Sequence, residues 1–161
     1  HSGFAPENQV QIEILKAMRE RFARVSFERL VSGPGIENLY WALCRVHGEH
    51  RQQLGAADVF ARAADGSDPR AAEAVQVFFE ILGQFAGDLA LTLNAHDGVF
   101  IAGGIARRYP ELLENSRFRN GFESKGRYRP QMERIPTQLV MYDHPGLLGA
   151  SFCARQQLTG R

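Results

Sequence analysis

Apolar residues recur every three or four positions through much of this chain, which is the spacing of one face of an α-helix. The longest such pattern begins at Ala71, ends at Leu93 and predicts a helix over about residues 69–95. Further helices are predicted over about 7–23, 27–30, 36–46, 56–64 and 105–115 (interrupted at Pro110), with a last one from 147 onward. The chain is therefore expected to be mainly helical.

Two segments have the pattern of strands instead. Val99-Phe100-Ile101-Ala102 is an unbroken apolar run that ends in two glycines, which is typical of a strand buried in an α/β sheet. Residues 136–142 are rich in strand-forming side chains. Because helices outnumber strands, we expect an α/β layer in which helices pack on a small sheet with at least one fully buried strand.

Glycines carry two further structural expectations. Gly33-Pro34-Gly35 is predicted to break the chain between the short helix at 27–30 and the helix that follows. Gly83 and Gly87 are four residues apart in the long helix, so another backbone can approach that face closely.

Composition narrows the class of protein. The 161 residues are 44% apolar and include 11 Phe, which suits one domain with its own core and excludes a disordered chain. The net charge of +1 provides no global field for nucleic acid or anionic lipid. The chain has no 18-residue apolar run and no secretory pattern, so we expect no membrane span and a cytoplasmic location.

Two local features could suggest chemistry but have simpler interpretations. Cys44 and Cys153 lie in apolar stretches without C-x-x-C spacing, so both are expected to be buried free thiols. Residues 107–134 contain eight basic side chains among aromatic ones, which is a pattern found in nucleic-acid sites. Four glutamates in the same span dilute that charge, so a solvated face or a dimer surface is the better interpretation.

Three short motifs could hold a ligand. Gly103 and Gly104 follow the predicted strand, where a backbone in an α/β fold can approach a ligand, although a tight turn alone also requires small residues. They do not form a G-x-G-x-x-G fingerprint. Glu28 could accept two hydrogen bonds from vicinal sugar hydroxyls, although an acid at a helix start is more often solvated. The glycines at 32–35 could face an anion or a sugar, or act as a hinge.

Taken together, the motifs make the chain resemble the bacterial glucokinases over its whole length. They are HSGFAP at 1–6, RVSFERLVSGPGIENLY at 24–40, GVFIAGGIA at 98–106, FRNGFESKGRY at 118–128 and HPGLLGA at 144–150. The resemblance implies that residues 1–161 are the larger, C-terminal domain of a two-domain enzyme whose N-terminal domain is absent. The implied fold is the helix-rich α/β domain of the actin-like (ribonuclease H-like) ATPases, with a small mixed sheet packed by helices.

The resemblance also implies an activity and its residues. The full-length enzyme would use ATP and Mg²⁺ to phosphorylate glucose to glucose 6-phosphate, and it would form a homodimer. His1 and Glu28 match the family's sugar-contacting residues, and Gly103 and Gly104 match its adenosine motif. The family's general-base aspartate and phosphate turns have no counterpart here, so the fragment alone is expected to be inactive. The alternatives are a non-catalytic sugar-binding or regulatory domain of the same fold and a dimerisation module.

Overall fold

The computed structural model of the protein describes residues 2–159. The longer helices are α1 (Gln9–Arg19), α2 (Gly33–Val46), α3 (Ala56–Ala64), α4 (Pro69–Thr92) and α9 (Pro145–Thr159). The shorter ones are α5 (Gly104–Arg108), α6 (Pro110–Glu114), α7 (Phe118–Glu123) and α8 (Arg129–Met132), with 3₁₀ turns at Phe27–Arg29 and Gly126–Tyr128. Strand β1 (Val99–Ile101) precedes α5, and β2 (Thr137–Leu139) follows α8. The predicted elements are confirmed to within about one helical turn at each end.

Gly33-Pro34-Gly35 forms the first turn of α2, so the predicted break at this point is wrong. The Ser32 hydroxyl caps the helix by accepting a hydrogen bond from the Gly35 amide at 3.0 Å. Pro34 lies in the first turn, where the backbone needs no helical donor. Gly35 is required by packing, because a Cβ there would lie 2.5 Å from the carbonyl carbon of Leu30.

Helix α4 forms the centre of the core and packs against α2, α3 and α7. Its Ala71, Phe78, Phe79 and Ile81 side chains are buried. By length and composition alone α4 could cross a membrane, since its most apolar 18-residue window has a mean hydropathy of 1.3. In the described fold 61% of that window is buried, as expected for the core helix of a folded domain.

Three glycines bring α4 and α7 into backbone contact, which confirms the prediction made from the glycine spacing. A Cβ on Gly83 would lie 2.0 Å from the Phe118 carbonyl oxygen, and α7 approaches Gly87 almost as closely. From the other helix, a Cβ on Gly121 would lie 2.2 Å from the Glu80 carbonyl oxygen. Any side chain at these positions would push the two helices apart.

The burial of α7 corrects, for this helix, the prediction that residues 107–134 form a solvated face or a dimer surface. Phe118 and Phe122 are buried against α4, so these two aromatic residues belong to the core, whereas Tyr128 is exposed. Several of its basic side chains pair at the surface with the segment's own glutamates. The helical period places the phenylalanines on the buried face of α7 and the charged residues on its partly exposed face. The composition of the segment does not show this separation.

The sheet differs from the prediction in two ways. β1 and β2 pair in parallel, with Val99 opposite Thr137 and Ile101 opposite Leu139, and the described residues add no third strand. The sheet is therefore parallel, not mixed. Neither is β1 fully buried: Val99 and Ile101 pack towards the core, but Phe100 is 70% exposed because alternate side chains of a strand point to opposite faces.

The two cysteines lie in different environments. Cys44 is a buried free thiol in α2, as predicted, and burial raises its pKa. Cys153 is a free thiol too, but it is exposed, so the prediction that it is buried is wrong. It lies on α9, whose Leu147, Leu148 and Phe152 are also exposed. An apolar stretch therefore does not guarantee a covered side chain here.

Candidate functional site

The amino-terminal segment lies directly beside the segment that leads into Glu28. Gly3 forms an antiparallel bridge with Ser26, and the Phe27 amide donates to the Ser2 carbonyl oxygen at 3.1 Å. This pairing fixes the backbone at the start of the 3₁₀ turn that contains Glu28. His1, the other predicted sugar ligand, lies outside the described residues.

Glu28 lines a cleft of about 490 Å³ formed by residues 24–38. The surrounding backbone is held from two sides: the Ser32 hydroxyl donates to the Glu28 carbonyl oxygen at 2.7 Å, and the Asn38 amide donates to the Arg29 carbonyl oxygen at 3.0 Å. Ser26 precedes the turn, but its side chain makes no capping hydrogen bond. The cleft is thus lined mainly by polar residues, its backbone is held by hydrogen bonds, and an exposed carboxylate lies at its wall.

Gly104 lines a second, larger cleft of about 910 Å³, which lies at the carboxyl ends of the two parallel strands. One wall is apolar: the Phe60 ring of α3 stacks on the Tyr109 ring with their centroids 4.4 Å apart. The other carries charge, since Arg107 of α5 forms an ion pair with Asp143. Aromatic faces and a few polar groups around a concave space are typical of small-molecule sites.

The two glycines after β1 leave space open, unlike the glycines between α4 and α7. Gly103 has a φ of +155°, a conformation that side-chain-bearing residues rarely adopt. A Cβ on Gly103 or Gly104 would meet no protein atom within 4 Å. Packing within the described residues therefore does not require Gly104, whose missing side chain widens the cleft.

The first turn of α2 separates the two clefts. Ser32 and Pro34 line the Glu28 cleft, whereas Gly33 lines the Gly104 cleft. Two segments that are far apart in the sequence, 24–38 and 104–109, thus form neighbouring ligand-sized spaces. The tertiary structure brings together Glu28 and Gly104, which the sequence identified separately.

Some residues of these clefts were not singled out from the sequence. Asn38 carried a usable signal, because it is a polar residue on the buried face of a predicted helix. The stacking of Phe60 on Tyr109 and the pairing of Arg107 with Asp143 join distant segments of the chain. Such contacts follow no local period.

Outside both clefts, a buried polar cluster shifts the pKa values of two of its side chains, Tyr40 and Asp68. Burial raises the pKa of Tyr40, whose hydroxyl donates to Asp68 at 2.9 Å. Burial alone would raise the pKa of Asp68 as well, but hydrogen bonds from Tyr40 and from the amides of Arg70 and Ala71 hold it below its usual value. Because Asp68 is also the N-cap of α4, this cluster has a structural role.

Known sequences resemble the chain over nearly its full length. A family model described as Glucokinase matches residues 1–157. The glucokinase of Nitrobacter hamburgensis is 46% identical over 149 residues, which cover 92% of this chain and 47% of that protein. The glucokinase of Cronobacter sakazakii is 42% identical over 158 residues, covering 98% of this chain and 49% of the relative. The chain thus spans about half the length of these curated relatives.

Two solved structures share the fold. The glucokinase from an Antarctic psychrotroph matches with a TM-score of 0.90 and 35% identity, over 97% of this chain and 48% of that one. The glucokinase from Balamuthia mandrillaris, solved in complex with glucose, matches with a TM-score of 0.62 and 20% identity, over 86% of this chain and 41% of that one. At that identity the second likeness concerns the fold alone.

Proposed function

The chain belongs to the glucokinase family, and from that premise we propose that it is the larger, carboxyl-terminal domain of an enzyme that phosphorylates glucose to glucose 6-phosphate with ATP. The fold we assign to it is the actin-like one, in which two domains close over a shared cleft. Its similarity to named glucokinases favours an enzyme over a regulatory relative of the same fold.

The observation that carries the proposal is the adjacency of the two clefts across the first turn of α2. Phosphoryl transfer depends mainly on holding donor and acceptor close together and in line. A sugar beside Glu28 and a nucleotide beside Gly104 would lie on either side of Gly33 and Pro34. Transfer between them would require the phosphates of the nucleotide to extend past this turn to the sugar.

In the sugar cleft, Glu28 is the residue we assign to the hydroxyl groups of glucose. An ionised carboxylate is an acceptor with two oxygens, so it can take hydrogen bonds from two neighbouring hydroxyls. His1 is proposed as the second sugar ligand. Its neighbour Ser2 is hydrogen-bonded to Phe27, which immediately precedes Glu28, and this proximity supports the assignment.

At the other cleft, the backbone at Gly103 and Gly104 is proposed to lie against the adenosine of ATP. The open space above both glycines and the aromatic wall formed by Phe60 and Tyr109 fit a flat, weakly polar base. For Mg²⁺ we assign no protein ligands here, because the described residues contain no group of three or more His, Cys, Asp or Glu side chains that could hold a metal ion. Its ligands would therefore come chiefly from the nucleotide phosphates and from outside this set.

The chain alone is expected to show no measurable turnover. The family resemblance assigns the general-base aspartate and the phosphate-binding turns to parts of the enzyme outside these 161 residues. General-base assistance alone is typically worth ~10²–10⁴-fold in rate. We also propose that the full-length enzyme is a homodimer, and its sedimentation would test this. It would act in the cytoplasm, where glucose enters glycolysis.

The sugar assignment is tested by Glu28→Gln in the full-length enzyme. Losing the charged acceptor should raise the KM for glucose by about 10–100-fold, since a hydrogen bond to a charged group contributes about 1.5–3 kcal/mol. The KM for ATP and the melting temperature should stay unchanged. Steady-state kinetics with each substrate varied would measure this.

Glu13→Gln is the matched control, because Glu13 lies on α1, outside both clefts, and loses the same charge. It should leave both KM values unchanged. An unaltered glucose KM in Glu28→Gln would remove Glu28 from the sugar site.

A further inference from the structure

A third cleft lies at the opposite end of the parallel strands from Gly103 and Gly104. It has a volume of about 540 Å³, and its residues come from the turn before β1 and from the segment before β2. His96 lies on the first of these, and Arg127, Tyr128, Gln131 and Arg134 lie on the second. The cleft is therefore separate from the proposed sugar and nucleotide sites.

The charge of this cleft has one sign. Arg127 and Arg134 line it, and no acidic side chain does. Within the part of the chain that the structure describes, neither arginine forms an ion pair, whereas Arg119 and Arg129 of the same region pair with glutamates. Two guanidinium groups thus face one concave space without an anionic partner.

The wall that carries His96 is held in place by the end of α4. Asn94 takes a left-handed conformation, with φ of 52°, and the Ala95 amide donates to the Ala90 carbonyl oxygen at 2.9 Å, as in a Schellman motif. The His96 ring then bridges two elements: Nε2 donates to Asn94 Oδ1 at 2.7 Å, and Nδ1 accepts from Gln131 at 3.5 Å. This places the turn before β1 against α8.

The opposite wall offers a flat ring beside the positive charge. The Tyr128 ring is 45% exposed, and the Arg127 guanidinium lies 5.2 Å from its centroid. Arginine forks match the oxygens of a phosphate group, and a tyrosine face can cover the non-ionic part of a ligand. The volume falls within the range of about 300–1,000 Å³ that is usual for small-molecule sites, so it suits a metabolite better than a polymer.

We propose that this cleft binds a small phosphate monoester, with the phosphate held by Arg127 and Arg134 and the body of the ligand against Tyr128. The proposal does not rest on the kinase assignment, because neither Glu28 nor Gly104 takes part. A ligand here would connect the beginning of β1 to the beginning of β2, at the end of the sheet away from the proposed nucleotide cleft.

The test is an NMR titration of the ¹⁵N-labelled chain with glycerol 3-phosphate, using glycerol and sodium sulfate at matched ionic strength as comparison ligands. We expect saturable shifts of amides in 94–98 and 127–135 with glycerol 3-phosphate, and affinities at least about tenfold weaker for both comparison ligands. The double variant Arg127→Gln/Arg134→Gln should bind glycerol 3-phosphate at least about tenfold more weakly than the parent chain. Its amide signals away from the cleft should keep their positions.

A matched double variant distinguishes a specific phosphate site from non-specific attraction of the anion to positive charge on the chain. Arg19→Gln/Arg62→Gln removes the same two charges from exposed positions on α1 and α3, and it should bind glycerol 3-phosphate like the parent chain. Equal weakening in both double variants, equal affinity for sulfate, non-saturating shifts, or saturable shifts confined to residues 103–108 would each overturn the proposal.

Discussion

Helix α7 has two phenylalanines among its six residues and α9 is rich in apolar residues, but only α7 is built into the core. Phe122 of α7 is fully buried against α4, whereas Phe152 of α9 is 60% exposed. The difference lies in shape more than in hydrophobicity. Gly83, Gly87 and Gly121 let the backbones of α4 and α7 touch, and nothing comparable receives α9 in the part of the chain that the structure describes.

The comparison shows that an apolar helix is stabilised only where a complementary surface exists. An isolated helix of α9's length is marginal in water, because most helical stability in proteins comes from tertiary packing. The stability of these 161 residues should therefore depend strongly on the α4–α7 contact and weakly on α9.

The largest expected effect comes from truncating one phenylalanine in each region. Phe122→Ala should destabilise the chain by about 3–5 kcal/mol, because it leaves a cavity in the core. Phe152→Ala should change the free energy of unfolding by less than about 0.5 kcal/mol, since its side chain is already exposed. Urea denaturation followed by circular dichroism measures both, and similar losses in the two variants would refute the comparison.

A smaller effect should follow from adding one methyl group to each helix. Gly83→Ala should destabilise the chain by about 1–3 kcal/mol or more, because its Cβ would overlap the Phe118 carbonyl group. Gly149→Ala in α9 is the matched control, since a Cβ there meets nothing within 4 Å and alanine favours a helix. Thermal melting of both variants is the measurement. A stable Gly83→Ala protein would show that the two backbones can separate without cost.

The smallest expected effect is a pH dependence of the free energy of unfolding, caused by Glu80 at the contact between α4 and α7. Burial raises the pKa of Glu80 above its ordinary value of 4.5, so its carboxylate form opposes folding. Stability from this group is present at pH below 4.5 and is lost as pH rises through the raised pKa. Glu80→Gln should therefore be more stable than the parent at pH 7, and the advantage should shrink towards pH 4.

Glu13 supplies the control of opposite sign. A hydrogen bond from Lys16 is the main cause that lowers its pKa, so its contribution is present above pH 4.5 and is lost as pH falls. Glu13→Gln should accordingly never be more stable than the parent at pH 7. Denaturation at a series of pH values distinguishes the two, and a Glu80→Gln difference that is constant with pH would contradict the assigned burial.

Much of the candidate site could be anticipated from residues taken one at a time. Glu28 and Gly104 each line a cleft, as expected for ligand-binding positions, but their segments are far apart in the sequence. The closeness of the two clefts depends on how α2 starts. The sequence suggested a break at Gly33-Pro34-Gly35, whereas the capped first turn there forms the partition.

The sequence by itself determined where the longer helices and both strands lie, because periodicity, caps and helix breakers act within a few residues, but it did not predict α7 or α8. It also determined that one face of α4 would admit another backbone, since Gly83 and Gly87 remove the side chains that would prevent this. Only the tertiary structure decided that α7 fills that face, that Phe100 and Cys153 are exposed, and that Arg127 and Arg134 share a cleft. A local period fixes which residues share a face, but the rest of the chain determines what covers it.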